Sequence, residues 1–297
     1  MEVDALSQFL QQIVNGLSLG SIYALLALGY TMVYGIIKLI NFAHADIYML
    51  GAYIGFACIT MFGLGFFPAL IISMVLCAII GIIIERVAYK PLRNSPRITL
   101  LITAIGVSFF LEYIMVYFVG ANVRAFPDVI PKTQFHLGSV VINLQQIVIL
   151  FTTIALMLLL QFIEHKTKIG KAMRAVSADR DAAELMGINV NRTISATFAI
   201  GSALAGAGGV MVGMFYNSIN PLMGMMPGLK CFVAAVFGGI GVIPGAMIGG
   251  FGIGFIETMV SGYGSSMYKD AVVFAILILV LIFKPAGLLG KNTREKV

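Results

Sequence analysis

Long apolar runs separated by short polar links form the dominant pattern of the chain. Seven of these runs have about the length that a helix needs to cross a bilayer, namely residues 13–35, 46–62, 66–84, 98–119, 140–163, 193–216 and 268–283. An eighth stretch, residues 221–259, is too long for one helix and contains GGIGVIPGAMIGG, where glycine and proline predict a break. The pattern predicts an all-α polytopic membrane protein of about nine transmembrane helices, within a range of about eight to ten.

Small residues recur at every fourth position in several of these runs. Gly16, Gly20 and Ala24 form one such series, and Gly250 and Gly254 belong to another. In lipid, helices associate through close van der Waals packing, because burial from water no longer drives them together. The spacing therefore predicts helices whose backbones approach closely.

Three polar segments hold most of the Lys and Arg residues and predict the orientation. They are residues 86–97, residues 164–192 and the tail from Lys284 onward, which includes Lys291, Arg294 and Lys296. Cytoplasmic segments of membrane proteins are enriched in Lys and Arg, so we expect a periplasmic N-terminus and a cytoplasmic C-terminus. Because residues 164–192 and the tail are then on the same side, residues 221–259 must cross the membrane twice, with the turn of residues 238–250 near the cytoplasmic side. The net charge of +6 is concentrated in these links, and nucleic acid is not expected as a partner.

Composition agrees with a protein embedded in the lipid bilayer and argues against several functions. The mean hydropathy is +0.99 and 11% of the residues are charged, against about 25% in soluble domains. The three cysteines lack metal-ligand spacing, and the histidines are dispersed. The sequence contains no HExxH or GxxxxGK[ST] motif. We therefore expect no catalytic residue, no metal site and no ATPase within this chain.

One polar segment, ADRDAAELMGINVNR, interrupts the apolar pattern at residues 178–192. On a helix, five residues would share a small apolar face: Ala175, Ala178, Ala182, Leu185 and Met186. Arg180, Asp181 and Glu184 would face away, Asp179 would lie near the boundary, and Gly187 is a plausible helix stop. A membrane-surface helix would carry bulky apolar and basic residues. Alanines flanked by both charge signs instead predict docking into a protein groove.

A family resemblance accounts for this segment. MRAVSADRDAAELMGINVNR, residues 173–192, resembles the cytoplasmic coupling loop of ABC-importer permeases, with Asp181, Ala182 and Ala183 where many relatives have Glu-Ala-Ala. GYTMVYGIIKLINFAHADIYMLGAY, AVFGGIGVIPGAMIGG and FKPAGLLG resemble motifs of the LivH-type permeases of branched-chain amino-acid importers. The resemblance covers essentially the whole chain. One departure is Ala45, where relatives usually have glycine, and an alanine restricts positive φ angles.

The resemblance implies a type II ABC-importer-like permease in the bacterial inner membrane. It implies one transmembrane domain, residues 1–297, with residues 166–192 as the coupling loop. The implied partners are a second homologous permease, two cytoplasmic ATPases and a periplasmic binding protein that carries leucine, isoleucine or valine. ATP and Mg²⁺ would be bound by the ATPases, and this chain would bind no cofactor.

Two groups of residues are the candidate functional sites. The coupling group, as the resemblance implies, consists of Arg174, Asp179, Arg180, Asp181, Ala182, Ala183, Leu185, Met186 and Gly187. The translocation path needs a few polar groups on an apolar wall, because tight binding belongs to the binding protein. Candidates are the polar residues of the first run and of NFAHAD, namely Asn15, Ser18, Ser21, Tyr23, Tyr30, Asn41 and His44. His44 could equally be a polar anchor on the cytoplasmic side.

Glu112 lies within an apolar run, where an ionisable group is costly and is a functional candidate. It is either a proton relay, which would favour a proton-coupled secondary carrier, or a buried carboxyl bonded between helices. Such a carrier would normally be longer and show two comparable halves. A passive channel is a further alternative. Within the importer class, the runner-up is a permease for urea, amides or another amino acid.

Overall fold

The computed structural model describes residues 2–38 and 40–290, with side chains from residue 5 onward. Within these ranges, the α-helices are α1 (Glu2–Ile37), α2 (His44–Phe62), α3 (Phe66–Ile84), α4 (Arg97–Val119), α5 (Leu144–Lys166), α6 (Lys168–Ala178), α7 (Arg180–Leu185), α8 (Val190–Tyr216), α9 (Met225–Gly238), α10 (Ile243–Tyr263) and α11 (Lys269–Phe283). A π-helical turn, Glu85–Tyr89, extends α3. The short strands are β1 (Arg124–Ala125), β2 (Gln134–Leu137), β3 (Val140–Asn143) and β4 (Ser218–Ile219).

The described part of the chain contains seven helices that are long and apolar enough to cross a bilayer: α1, α2, α3 with its π-helical extension, α4, α5, α8 and α10. Helices α9 and α11 have only 14 and 15 residues. At about 1.5 Å per residue each is about 22 Å long, shorter than a hydrocarbon layer of about 30 Å. The predicted multi-pass helical bundle is confirmed, whereas the predicted number of nine spans is not.

Helices α1 and α8 form the centre of the bundle, and small residues allow their neighbours to touch them. A Cβ atom added to Gly254 in α10 would lie 2.2 Å from the Gly20 Cα of α1. A Cβ on Gly209 in α8 would lie 2.1 Å from the Tyr48 carbonyl oxygen of α2. The backbones are therefore in direct contact at both crossings, as the spacing of small residues predicts.

Replacement of Gly209 by leucine should destabilise the bundle by about 3 kcal/mol, because the backbones of α2 and α8 would have to separate. Thermal unfolding in detergent measures this loss. The matched control is Gly106→Leu on α4, where an added Cβ meets nothing within 4 Å. Equal unfolding temperatures for the two variants would contradict the described packing of α2 against α8.

Two helices begin inside the bundle rather than at its surface. Asp46, in the first turn of α2, accepts a hydrogen bond from Ser108, which lies 11 residues from either end of α4. A Cβ on Gly224, just before α9, would lie 2.7 Å from the Asp46 Oδ1. The starts of α2 and α9 therefore meet near the middle of the layer. Helix α9 is short because it covers only the part of the layer between this level and the end at Gly238.

The three basic segments predicted to be cytoplasmic lie at one end of the bundle. Arg93 of the first segment donates to the Asn191 side chain of the second, at 2.6 Å. A cleft at this end is lined by Arg174 and Gly241, and the segment after α11 binds the end of α9, where the Leu288 N–H donates to the Phe237 carbonyl. The structure thus brings the basic segments together at one end of the bundle, and the side of the membrane that this end faces stays a prediction. The predicted basic residues Lys291, Arg294 and Lys296 lie outside the described residues.

The turn within residues 221–259 is shorter than predicted. The chain reverses over residues 239–242, where Gly239 and Gly241 have positive φ angles of 113° and 89°. Pro244 does not break a helix, since it stands in the first turn of α10. The missing N–H of proline costs nothing there, because first-turn N–H groups have no partner within the helix. Of the remaining glycines of GGIGVIPGAMIGG, Gly238 ends α9, and Gly245, Gly249 and Gly250 belong to α10, where they allow close packing.

The run predicted to begin at residue 140 also begins differently. Residues 140–143 form β3, which pairs with β2 in a hairpin. Helix α5 starts at Leu144, after Asn143 and Gln146 form a reciprocal capping box. Ala45, the departure from the family pattern, lies in the first turn of α2. It needs no positive φ.

Candidate functional site

The polar segment between α5 and α8 forms two short helices rather than one. Asp179 separates α6 from α7, with an extended backbone (φ −153°, ψ 118°). Its side chain accepts a hydrogen bond from the Ala182 N–H at 2.9 Å, which is the geometry of a helix N-cap. The predicted continuous apolar face from Ala175 to Met186 is therefore wrong, because the cap at Asp179 changes the direction of the chain between its two halves.

Helix α6 is fixed to the bundle at both ends. At its start, the Thr167 side chain accepts from the Gly170 N–H at 3.1 Å, and a Cβ on Gly170 would lie 2.1 Å from the Glu164 carbonyl oxygen. Arg174 donates to the same Glu164 carbonyl at the end of α5. Near its end, Ser177 donates to the Gly35 carbonyl of α1 at 2.6 Å. Helix α6 is thus bonded directly to both α1 and α5.

Helix α7 carries two large apolar side chains that nothing in the described chain covers. Leu185 is 89% exposed and Met186 is 84% exposed; we call these two residues the α7 tip. Ala183 is 4% exposed and packs inward against the bundle, so it supports the tip rather than forming its surface. The other predicted coupling residues are all exposed: Arg174, Asp179, Arg180, Asp181, Ala182 and Gly187.

Gly187 ends α7 immediately after the tip. Its φ is +82°, a left-handed conformation that favours glycine. The Gly187 N–H donates to the Glu184 carbonyl and the Ile188 N–H to the Ala183 carbonyl, the pair of bonds that defines a Schellman motif. An added Cβ would meet nothing within 4 Å. Backbone conformation alone therefore explains the glycine, as the sequence pattern predicted.

Gly187→Val should loosen the end of α7 and reduce coupled ATP hydrolysis in the assembled complex by about tenfold, since a left-handed β-branched residue costs about 1–2 kcal/mol. The rate of ATP hydrolysis stimulated by loaded binding protein measures this effect. The control is Gly63→Val. Gly63 has a similar positive φ (+64°) and the same open surroundings, and it follows the C-terminal end of α2. If both variants lost hydrolysis equally, α7 would have no particular part in coupling.

The candidate path residues on α1 divide into two sets. Asn15 accepts from Gln146 at 3.0 Å and lines an open cavity of about 450 Å³ together with Glu257. Tyr23 donates to Glu257 at 2.9 Å. Ser18 and Ser21 instead donate to carbonyls of their own helix, Val14 and Ser18. Asn15 therefore lines the cavity and Tyr23 is bonded to one of its lining residues, whereas the two serines are buried and bonded locally.

Tyr30, Asn41 and His44 lie where α2 begins. The ring centroids of Tyr30 and His44 are 4.7 Å apart in an edge-on contact, and the His44 ring fills the space beside Gly29. The Asn41 side chain accepts from the Tyr89 hydroxyl at 2.6 Å. All three residues are at most 4% exposed. The structure therefore brings them to one inner region, although sequence reasoning left His44 open between a surface anchor and a path residue.

Glu112 is buried beside Asp46, an acid that sequence reasoning did not select. Ser108, one turn before Glu112 on α4, donates to the Asp46 Oδ2, which places the two acids side by side. A cavity of about 220 Å³ next to this cluster is lined by Glu112, Ser108 and Tyr30, with apolar side chains around them. Glu112 thus lies beside a second buried acid.

Lys230 is a second buried charge that sequence reasoning missed. It lies in α9, 6% exposed, and pairs with Glu257 at 2.7 Å and with Asp270 at 2.5 Å. Glu257 is 2% exposed and joins α9, α10 and α1. In the sequence, Lys230 lies in an apolar run flanked by turn-forming residues. Its position along the chain did not indicate which acid it would pair with. Within the described residues, no group of three His, Cys, Asp or Glu side chains could hold a metal ion.

Comparison with known proteins identifies the class of this bundle. Residues 12–281 match the family described as the permease component of the branched-chain amino acid transport system. The chain belongs to this permease family. The permease is 45% identical to the high-affinity branched-chain amino acid transport system permease protein LivH of Salmonella typhimurium, over 97% of this chain and 98% of that protein. It is 44% identical to the corresponding protein BraD of Pseudomonas aeruginosa, with the same coverage.

A more distant likeness exists among solved structures. The permease overlays on PsaBC from Streptococcus pneumoniae in complex with Fab with a TM-score of 0.46 and 14% identity, covering 95% of this chain and 92% of that one. This similarity is too low to support an argument. Family membership is sufficient to state that the protein is a multi-pass membrane permease component, which works within a transport system and is not itself an enzyme.

Proposed function

We propose that this permease is the membrane subunit of an ATP-driven importer that moves leucine, isoleucine and valine into the cytoplasm. The observation that carries the proposal is the similarity at 44–46% identity to LivH and BraD over 97% of the chain. The exposed α7 tip on an anchored helical segment supports it. Its position suits a coupling role, because a motor protein needs an exposed contact joined rigidly to the transmembrane helices.

The proposed complex contains a second homologous permease, two cytoplasmic ATPases and a periplasmic binding protein. ATP and Mg²⁺ belong to the ATPases, and this chain acts as one transmembrane domain, residues 1–297, without a cofactor of its own. The membrane is the bacterial inner membrane, with the N-terminus periplasmic and the C-terminus cytoplasmic. The basic segments at one end of the bundle support this orientation.

In the proposed mechanism, the α7 tip inserts into a groove on an ATPase. Arg174, Asp179, Arg180, Asp181 and Ala182 form the polar rim of that contact, Ala183 supports it from below, and Gly187 ends the helix. When the ATPases close on ATP, the displaced tip carries α6 with it. The bonds from α6 to Glu164 and Gly35 then transmit the movement to α5 and α1.

The substrate path needs polar groups at intervals and no tight site. We infer an outer portion that includes Asn15 and Tyr23, and an inner portion around Tyr30, Asn41 and His44. Substrate sites in membrane transporters often form where helices are interrupted inside the layer. The starts of α2 and α9 provide such an interruption beside Tyr30. Ser18 and Ser21 bond to their own helix and serve the path only through the shape of α1.

Purification of the tagged permease from its native membrane tests this proposal. We expect a second permease and ATPase chains to be retained after gentle extraction, and leucine-loaded binding protein to raise ATP hydrolysis. A complex that responds instead to a urea-, amide- or other amino-acid-binding protein would contradict the substrate assignment. Extraction of the chain alone would contradict the importer assignment.

A further inference from the structure

Four carboxyl groups are buried among the described residues, and they fall into two classes. Glu85 pairs with Arg93, and Glu257 pairs with Lys230. Asp46, with 0% exposure, belongs to the other class. Burial of a charge is costly unless a partner compensates it. For Glu85 and Glu257, the partner is a basic side chain of this chain.

Asp46 and Glu112 have no Lys or Arg partner within the described residues. They lie close together, because Ser108, which donates a hydrogen bond to Asp46, stands one turn before Glu112 on α4. The Asp46 Oδ1 is buried and accepts no hydrogen bond from any described group. Two adjacent acids can both be ionised only when a positive charge joins them. A positively charged group that the chain does not contain would complete this site.

The cavity beside this pair has dimensions and a lining that suit a small amphipathic ligand. Its volume of about 220 Å³ corresponds to about seven water molecules at about 30 Å³ each. Glu112 and the hydroxyl groups of Tyr30 and Ser108 provide its polar side, whereas Phe42, Phe109 and other apolar side chains form the rest of the lining. A cationic group beside an apolar side chain fits this division.

We propose that this cavity is a transit site for the amino acid, in which Glu112, supported by Asp46, receives the substrate ammonium group. The proposal rests on the transport function inferred above and assigns a role to the acid pair within it. Leucine, isoleucine and valine share an ammonium group and differ only in an apolar side chain, which the cavity wall accommodates. Urea and neutral amides lack the ammonium group, and the site therefore selects against them.

Glu112→Gln tests the role of the charge, because glutamine keeps the size of the side chain and its ability to form hydrogen bonds but cannot ionise. In proteoliposomes holding the complete complex, we expect leucine uptake to fall about tenfold or more, the loss typical of a missing charge-assisted hydrogen bond. ATP hydrolysis stimulated by loaded binding protein should persist. The control is Asp128→Asn, an exposed acid paired with Lys132 outside the bundle, which should leave uptake unchanged.

The outcomes separate this proposal from the proposed function. Wild-type complex without ATP-dependent leucine uptake would overturn the transport function itself. Wild-type activity with unchanged uptake in Glu112→Gln would overturn the transit site alone, and the acid pair would then be structural. Wild-type uptake that is independent of ATP and follows a proton gradient would instead make Glu112 a proton relay, which also overturns the site.

A second measurement uses the wild-type complex and does not depend on the folding of a variant. An apolar carbodiimide should label Glu112, which lines the cavity, and mass spectrometry locates the product. During turnover we expect leucine to reduce this labelling severalfold, whereas 4-methylpentanoate, which has the leucine skeleton without the amino group, should not. Equal labelling with and without leucine would overturn the proposal.

Discussion

Replacement of both Leu185 and Met186 by aspartate is expected to abolish coupled ATP hydrolysis while the permease remains folded in the membrane. The two side chains are 89% and 84% exposed, so the change removes no packing within the chain. Each apolar residue at the centre of an interface contributes about 2 kcal/mol or more to binding. Loss of two such contacts should weaken ATPase binding by about a thousandfold.

Retention of the ATPase chains on the purified permease measures this effect. The control is Met267→Asp, which introduces the same charge at an apolar side chain of 88% exposure, in the segment between α10 and α11 at the other end of the bundle. The control should keep its ATPases. Normal retention and stimulated hydrolysis in the double variant would show that the α7 tip is not the coupling contact.

Lys230→Met should produce the largest loss of stability in the bundle. The lysine pairs with Glu257 at 2.7 Å and with Asp270 at 2.5 Å. The side chains of Lys230 and Glu257 are 6% and 2% exposed, and removal of Lys230 leaves the buried Glu257 only the more distant Lys269 Nζ, at 3.6 Å. Such a change costs about 3–5 kcal/mol. We expect a low yield of folded protein and a clearly lower unfolding temperature in detergent.

The double variant Lys230→Met with Glu257→Gln distinguishes a charge effect from a packing effect. It removes both charges, and glutamine still accepts a hydrogen bond from Tyr23. We expect most of the lost stability to return, because replacement of a buried pair by neutral groups is often close to neutral. A double variant as unstable as Lys230→Met would indicate that the lysine acts through its packing and not through its charge.

Local patterns predicted much of the architecture. The run of residues 66–84 coincides with α3, because a bilayer requires a continuous apolar helix and glycines mark the start of this one. Gly187 ends α7 as predicted, because the left-handed conformation that closes a helix is local. The prediction was wrong at Asp179. The spacing of apolar residues predicted one continuous helix there, but the Asp179 side chain caps α7 and divides the segment into two helices.

The features that sequence reasoning missed depend on contacts between distant residues. Lys230 and Glu257 are 27 residues apart, and Asp46 and Ser108 are 62 residues apart. Spacing along one helix carries no information about such pairs. The internal starts of α2 and α9 were missed for the same reason, because the depth of a helix in the layer is set by its neighbours. Candidate residues of the translocation path could therefore be chosen from their residue types, but their arrangement in space could not be predicted.

Leucine uptake by proteoliposomes that contain the purified complex tests the central claim most directly. We predict uptake that requires ATP on the ATPase side and leucine-loaded binding protein on the other, and that is insensitive to collapse of the proton gradient. Uptake by the permease alone, without ATP and driven by a proton gradient, would contradict the account and identify a secondary carrier.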